Sequence, residues 1–370
     1  MNPRVSVVDA GYRAIVRPAM FGAYHGDPEA IHETMIANLA RFSRSPLALS
    51  ATRLLAGSRG APVTVAGIRF PGRVGVAAGL DKDGRAALAW QSMGFGFAEL
   101  GTVTAQAQPG NARPRVFRLK KSHALINRMG FNNAGAQRLH HQLSLLGIYR
   151  DNAGAGIPIG ISIGKTKVVP VEAAVDDYLA SLALVAPHAD YVAINVSSPN
   201  TPGLRSLQDG GALLQLLRAL VERAAGRLPL FVKVAPDLTE SQLDEVLAAA
   251  LDAGVAGLIA TNTTLGRAGL DAADQPLAAE AGGLSGAPLT VRAREVVGYL
   301  TRHTDLPVMA AGGIMTADDA AAMFDLGAPL VQLYTGFIYG GPALPARINA
   351  LTRQLRDAPA ATRDTSSHRR

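Results

Sequence analysis

The sequence predicts an α/β protein built as a (β/α)8 TIM barrel with a small N-terminal helical extension. Three observations carry that prediction. From residue 74 onward, eight short apolar runs alternate with alanine- and leucine-rich stretches of helical period. Five of those runs lead into amides, hydroxyls or glycines, as strands do at the end of a barrel that carries its site. The length, 370 residues, suffices for one such barrel plus an extra element.

The strand candidates are Val74–Gly79, Ala98–Thr104, Ile157–Gly164, Tyr191–Val196, Leu230–Ala235, Gly257–Thr261, Pro307–Ala311 and Leu330–Thr335. Helical stretches such as Ala212–Ala225 and Gln242–Ala253 separate many of them. The longest interruption, Gln106–Pro158, contains Asn127-Arg128-Met129-Gly130-Phe131-Asn132-Asn133 and is expected to fold over the site.

Residues 1–45 read differently. Arg4, Arg13 and Arg17 alternate with Val5, Val8, Ile15, Val16, Met20 and Phe21. Asp27-Pro28-Glu29 then opens a helix, with an N-cap carboxylate, a first-turn proline and an acid near the positive dipole end. Ile31, Met35, Ile36 and Leu39 follow at helical spacing until Ser45-Pro46. The segment is expected to be a pair of short amphipathic helices, either capping the barrel or lying on a membrane surface.

Composition narrows the function. With no cysteine, disulfides, Cys-ligated zinc, iron–sulfur clusters and a cysteine nucleophile are excluded. The net charge of +7 favours anionic partners: a phosphate-bearing cofactor, a carboxylate substrate or an anionic membrane. Nucleic acid is not expected, since no basic run is interleaved with aromatics, which make up 5% of the chain. No apolar run reaches the roughly 18 residues of a membrane span, and no signal peptide is read at the start of the chain. The polar stretch ending in His368-Arg369-Arg370 is expected to fray, as a tail over 356–370.

The segment Asn195-Val196-Ser197-Ser198-Pro199-Asn200-Thr201-Pro202-Gly203-Leu204-Arg205 bears the clearest chemical signal. The apolar run Tyr191–Ile194 delivers amides and a hydroxyl to a site at its C-terminal end. Gly282–Gly286, Ala311–Ile314 and Tyr334–Gly336 follow the last strands, where backbone N–H groups commonly receive phosphate. Lys233, inside apolar Phe231–Ala235, is costly to bury without a partner. Lys82 ends the turn that begins at Gly79.

On these motifs the chain, from about Asp27 to about Pro342, resembles the membrane-associated, quinone-dependent (class 2) dihydroorotate dehydrogenases. The resemblance implies oxidation of dihydroorotate to orotate in de novo pyrimidine (UMP) biosynthesis, with FMN as cofactor and a membrane quinone as acceptor. It puts Gly286, Gly313, Tyr334 and Thr335 on the FMN phosphate side. It puts Ala78, Gly79, Leu80, Asp81, Lys82, Thr102, Ser162, Asn195, Lys233 and Thr261 around the flavin. Ser162 departs from the family, which often has Asn there, and reaches less far. The substrate falls to Lys82, Asn127, Arg128, Met129, Gly130, Phe131, Asn195, Asn200, Asn262 and Thr263. Ser198 becomes the base, where the cytosolic class usually has cysteine. Its proton would leave through Thr264 or a water, under a lid over Thr201–Gln208. His32 and Arg118 fall near the quinone.

The implied organisation is a quinone-access segment over 1–45 and an FMN barrel over 46–355, held peripherally on the cytoplasmic side of the cell membrane. No metal and no iron–sulfur partner subunit are expected. Two other readings stay open from sequence: a phosphate-binding isomerase or lyase barrel without flavin, and a membrane-bound scaffold.

Overall fold

The eight apolar runs form the eight staves of a closed parallel barrel. A computed structural model describes residues 3–55, 60–151, 154–201, 204–208 and 210–357. Its strands are β1 (Val63–Val65), β2 (Ile68–Phe70), β3 (Val74–Val76), β4 (Phe97–Val103), β5 (Val116–Leu119), β6 (Ala124–Asn127), β7 (Ile159–Ile163), β8 (Tyr191–Asn195), β9 (Leu230–Val234), β10 (Gly257–Ala260), β11 (Gly283–Gly286), β12 (Val308–Ala311) and β13 (Leu330–Leu333). The barrel runs β3-β4-β7-β8-β9-β10-β12-β13 and closes β13 onto β3. Parallel strands covered on both faces need no polar alternation, and β4, β7, β8 and β9 are buried at every residue. Most of the observed strands stop short of the expected C-terminal ends. Gly79, Ala235 and Thr261 leave the ladder there, and Gly79 and Thr261 turn towards the site.

The lower interior is filled by Phe97, Tyr191, Phe231, Ile259, Met309 and Leu330, closed from below by Phe70 of the antiparallel β1–β2 hairpin. Large rings fit because facing positions are small. A Cβ at Gly75 would collide with the Phe97 ring, and one at Gly160 with the Tyr191 ring.

The long interruption folds over the barrel mouth as expected, around a three-stranded antiparallel sheet in the order β11-β6-β5. One expectation is corrected here. Gly283–Gly286, read as a glycine loop, is strand β11 paired with β6, so its backbone is held by a ladder.

The N-terminal segment comprises α1 (Pro3–Gly11), a π-helical turn at Tyr12–Val16, α2 (Arg17–Gly22), α3 (Pro28–Phe42) and α4 (Pro46–Leu55). Asp27 caps α3 as expected, accepting from the N–H groups of Glu29 at 2.9 Å and Ala30 at 3.3 Å. The reversal between α2 and α3 uses left-handed Tyr24 and His25, at φ 51° and 54°. Helix continues beyond Ser45, because Pro46 both bars extension of α3 and opens α4 as a first-turn proline. The segment is docked rather than free. Asp9 pairs with Arg347 at 2.6 Å, and the Tyr12 hydroxyl donates to the Ile338 carbonyl at 2.6 Å. No helix among the described residues is long and apolar enough to cross a membrane. Helix Ala343–Asp357 runs into the start of the expected tail; residues 358–370 lie outside the described residues.

Candidate active site

Where the staves end, one cavity opens between the barrel and the β5–β6–β11 sheet, with about 1140 Å³ of empty space including its mouth. Size and position suit a ligand site in a barrel of this type. Lys82, Asn127, Met129, Gly130, Phe131, Asn195, Ser198, Asn200, Asn262 and Thr263 all line it. So do Ala78, Gly79, Thr102, Lys233, Thr261, Gly286, Gly313, Tyr334 and Thr335.

The amides form a linked set. Asn195 at the end of β8 donates to Thr102 Oγ1 at 3.0 Å, and its Oδ1 accepts from Ser197 and from Asn262 Nδ2, both at 3.3 Å. Asn200 Nδ2 donates to Asn127 Oδ1 at 3.2 Å, which ties the loop after β8 to the end of β6. Ser198 Oγ accepts the Asn200 N–H at 3.3 Å and, 6% exposed, faces the cavity with its proton uncommitted to any acceptor among the described residues. Of the expected lid, Pro202 and Gly203 lie outside the described residues; Arg205 fastens the remainder to Asp237 at 2.9 Å.

Two ammonium groups face this space. Lys82 Nζ bonds Asn132 Oδ1 and contacts Met129 Sδ at 3.5 Å. Burial, reinforced by Arg115, pushes its pKa down to about 8, while Glu29 works to raise it. Lys233 Nζ lies 3.6 Å from Glu99 Oε1.

Some expected residues lie elsewhere. Leu80 is in the hydrophobic core. Asp81 is buried beneath the turn, where it accepts from the N–H groups of Arg85 and Ala86 at 2.9 Å and from Trp90 at 3.2 Å. Arg128 turns away to Glu280 at 2.5 Å and stacks over Phe117. Ser162 is fully buried and meets Thr102 Oγ1 at 2.8 Å, so it supports a wall residue and does not itself reach the cavity. Thr264, a relay candidate, donates its hydroxyl to Asp237 instead, because that carboxylate lies beside it. The sequence reading missed Glu99, Gln332 and Asn132; an acid within the buried run Phe97–Val103 was a signal of the same kind as Lys233.

Nearer the N-terminal helices, Arg118 stacks its guanidinium 4.1 Å from the Phe21 ring centre, and its Nε and Nη1 are buried without a hydrogen-bond partner among the described residues. His32 on α3 has its pKa pushed down to about 4, first by burial and then by Lys82, so it is neutral at pH 7. A separate apolar cavity lies between α2 and α3, lined by Met20, Ile31, Met35, Leu39 and Phe42 among others. Among the described residues no cluster of three or more His, Asp or Glu side chains could hold a metal ion.

Comparison with known proteins agrees with this geometry. The family model described as dihydroorotate dehydrogenase matches residues 61–355. A dihydroorotate dehydrogenase (quinone) of Salinispora arenicola is 54% identical over 344 residues, spanning 92% of this chain and 99% of its own. One from Chloroflexus aurantiacus is 52% identical over 350 residues, with 91% and 95% covered. The DHODH of Eimeria tenella, solved in complex with ferulenol, superposes with a TM-score of 0.79 at 35% identity, over 92% of this chain and 95% of that one. Its ligand-free form gives 0.80 at 36% identity, with 90% and 96% covered. With the signature loop after β8, the two lysines at one cavity and this span of similarity, the chain belongs to the dihydroorotate dehydrogenase family, in its quinone-dependent class.

Proposed function

We propose that the chain oxidises dihydroorotate to orotate through bound FMN and returns the electrons to a membrane quinone, with Ser198 as the base. The observation that carries this is the convergence of Lys82, Ser198 and Lys233 on one cavity, lined elsewhere by amides and by Gly286 and Gly313.

The wall fits the cofactor. Gly79 leaves it open: a Cβ there would approach the Tyr334 ring at 3.1 Å. Gly286, Gly313 and the paired hydroxyls of Ser285 and Thr335, 2.8 Å apart, supply small and polar groups for a phosphate. Ala78, Thr102, Lys233 and Thr261 would border the ring system. Bound there, FMN would supply the acceptor, at its N5, for the hydride that leaves C6 of the substrate.

The chain's own residues do the rest. Lys82 neutralises the substrate carboxylate. Asn127, Asn195, Asn200, Asn262 and Thr263 orient the imide. The backbone of Met129-Gly130-Phe131 wraps the ligand and keeps water out. Ser198 Oγ takes the C5 proton and passes its own into the cavity, through water rather than through Thr264. Serine suits this task only where the proton has an outlet.

The quinone would enter between α2 and α3, past Met20 and Met35, towards half-buried, neutral His32 and the edge of Arg118 that has no hydrogen-bond partner among the described residues. Residues 1–45 would then serve quinone access and peripheral membrane contact on the cytoplasmic side, and 46–355 would form the catalytic barrel. Exposed Val7, Ile15, Val16 and Leu47 suit an apolar surface.

The test is a two-step anaerobic experiment. Dihydroorotate should bleach the yellow protein, and added quinone should restore the colour. A colourless preparation with no releasable flavin would refute the reading.

A further inference from the structure

Below the two ammonium groups, the upper interior of the barrel holds a carboxylate that the proposed chemistry does not use. Glu99 lies in the middle of β4 and is 0% exposed. Its Oε2 accepts from the Tyr191 hydroxyl at 3.1 Å and from Gln332 Nε2 at 2.7 Å. Its Oε1 has no hydrogen-bond partner among the described residues and points its charge at Lys233 Nζ, 3.6 Å away. The four side chains come from four staves, β4, β8, β9 and β13.

We propose that Glu99 is a positioning residue for the redox centre: its carboxylate holds the Lys233 ammonium aimed at the electron-accepting edge of the cofactor. The inference rests on the flavin reading above. Two neutral donors fix one carboxylate oxygen and leave the other to face the ammonium. At 3.6 Å the ammonium is attracted but not captured, and Lys233 still lines the cavity with no hydrogen bond from its Nζ to any of the described residues. Tyr191 cannot take the place of Glu99, because burial, the largest cause, holds its pKa well above the ordinary tyrosine value.

A cation held beside the ring favours the reduced, electron-rich cofactor. Without Glu99 the Lys233 ammonium loses the counter-charge 3.6 Å away that aims it, so less of its charge reaches the ring and the midpoint potential would fall.

The experiment is spectroelectrochemical titration of flavin-loaded wild type and Glu99→Gln over a range of pH. The expected result is a lower potential for Glu99→Gln than for the wild type. Superimposable curves would overturn the proposal. A rise would also overturn it, since Lys233 would then hold its place at the ring unaided. Should Glu99→Gln not fold, the melting temperatures of Lys233→Met and of the double variant Lys233→Met with Glu99→Gln decide. Lys233→Met strands a buried carboxylate, so the double variant is expected to melt higher. A double variant melting at or below Lys233→Met would overturn the pairing. This comparison needs no cofactor, whereas a protein without releasable flavin would overturn the reading beneath it.

Discussion

Glu29→Gln is a sharp test of how α3 is held on the barrel. The Glu29 carboxylate takes bonds from Arg115 Nε at 3.1 Å to each oxygen and from Nη2 at 2.7 Å, and the two side chains are 4% and 6% exposed. Removing the charge of one member of a buried pair costs about 3–5 kcal/mol. The lower end applies here, because Arg115 Nη1 keeps its bonds to the Pro109 and Asn111 carbonyls at 2.6 and 2.7 Å. The half-exposed Arg113, 3.1 Å from Glu29, keeps Glu33 as a partner at 2.6 Å. A loss of about 3 kcal/mol raises the undocked population of α3 about a hundredfold. Hydrogen exchange reads this directly: amides of α3 should exchange about a hundredfold faster, with those of β7 and β9 unchanged. If α3 borders the quinone route, reoxidation by quinone should slow while reduction by dihydroorotate keeps its rate. The rates are compared below about pH 7, where Lys82 stays charged, since Glu29 also supports that charge. Unchanged exchange in α3 would refute the anchoring role, and equal slowing of both half-reactions would refute the link to quinone.

Ser198→Ala should leave the protein yellow and slow its reduction by dihydroorotate by about 10²–10⁴; an unchanged rate in stopped-flow would remove Ser198 as base. Lys82, with its pKa held near 8, is cationic below that value and neutral above it. The ratio kcat/KM for dihydroorotate should therefore fall above about pH 8, and a flat profile to pH 10 would contradict a carboxylate contact at Lys82. Gly160→Ala drives a methyl into the Tyr191 ring, which is tied to Glu99. It should cost about 1–3 kcal/mol or more in stability, seen as a lower Tm; an unchanged Tm would mean that the ring moves aside freely.

The barrel was legible because its staves are short, largely apolar runs, a pattern that survives without knowledge of tertiary contacts. The site was legible where one run ends in several polar groups, as Asn195 to Asn200 do. Direction was not. Asp81 and Lys82 are neighbours, yet one side chain is buried under the turn and the other faces the cavity. Arg128 sits among wall residues but is drawn outward by Phe117 on the neighbouring strand and by Glu280, which lies 152 residues away in sequence. Gly283–Gly286 pairs with a strand more than 150 residues earlier, and no local signal announces that ladder. Proline 46 punctuated α3 correctly, but sequence alone did not show that a fourth helix began at the same residue.

A structure of the flavin-loaded protein with orotate is the most direct measurement. The pyrimidine should lie flat against the ring of the cofactor, its carboxylate at Lys82 Nζ, with Ser198 Oγ over C5 on the opposite face at about 3 Å. Orotate bound outside this cavity, or with Ser198 Oγ on the flavin side of the pyrimidine, would contradict the account.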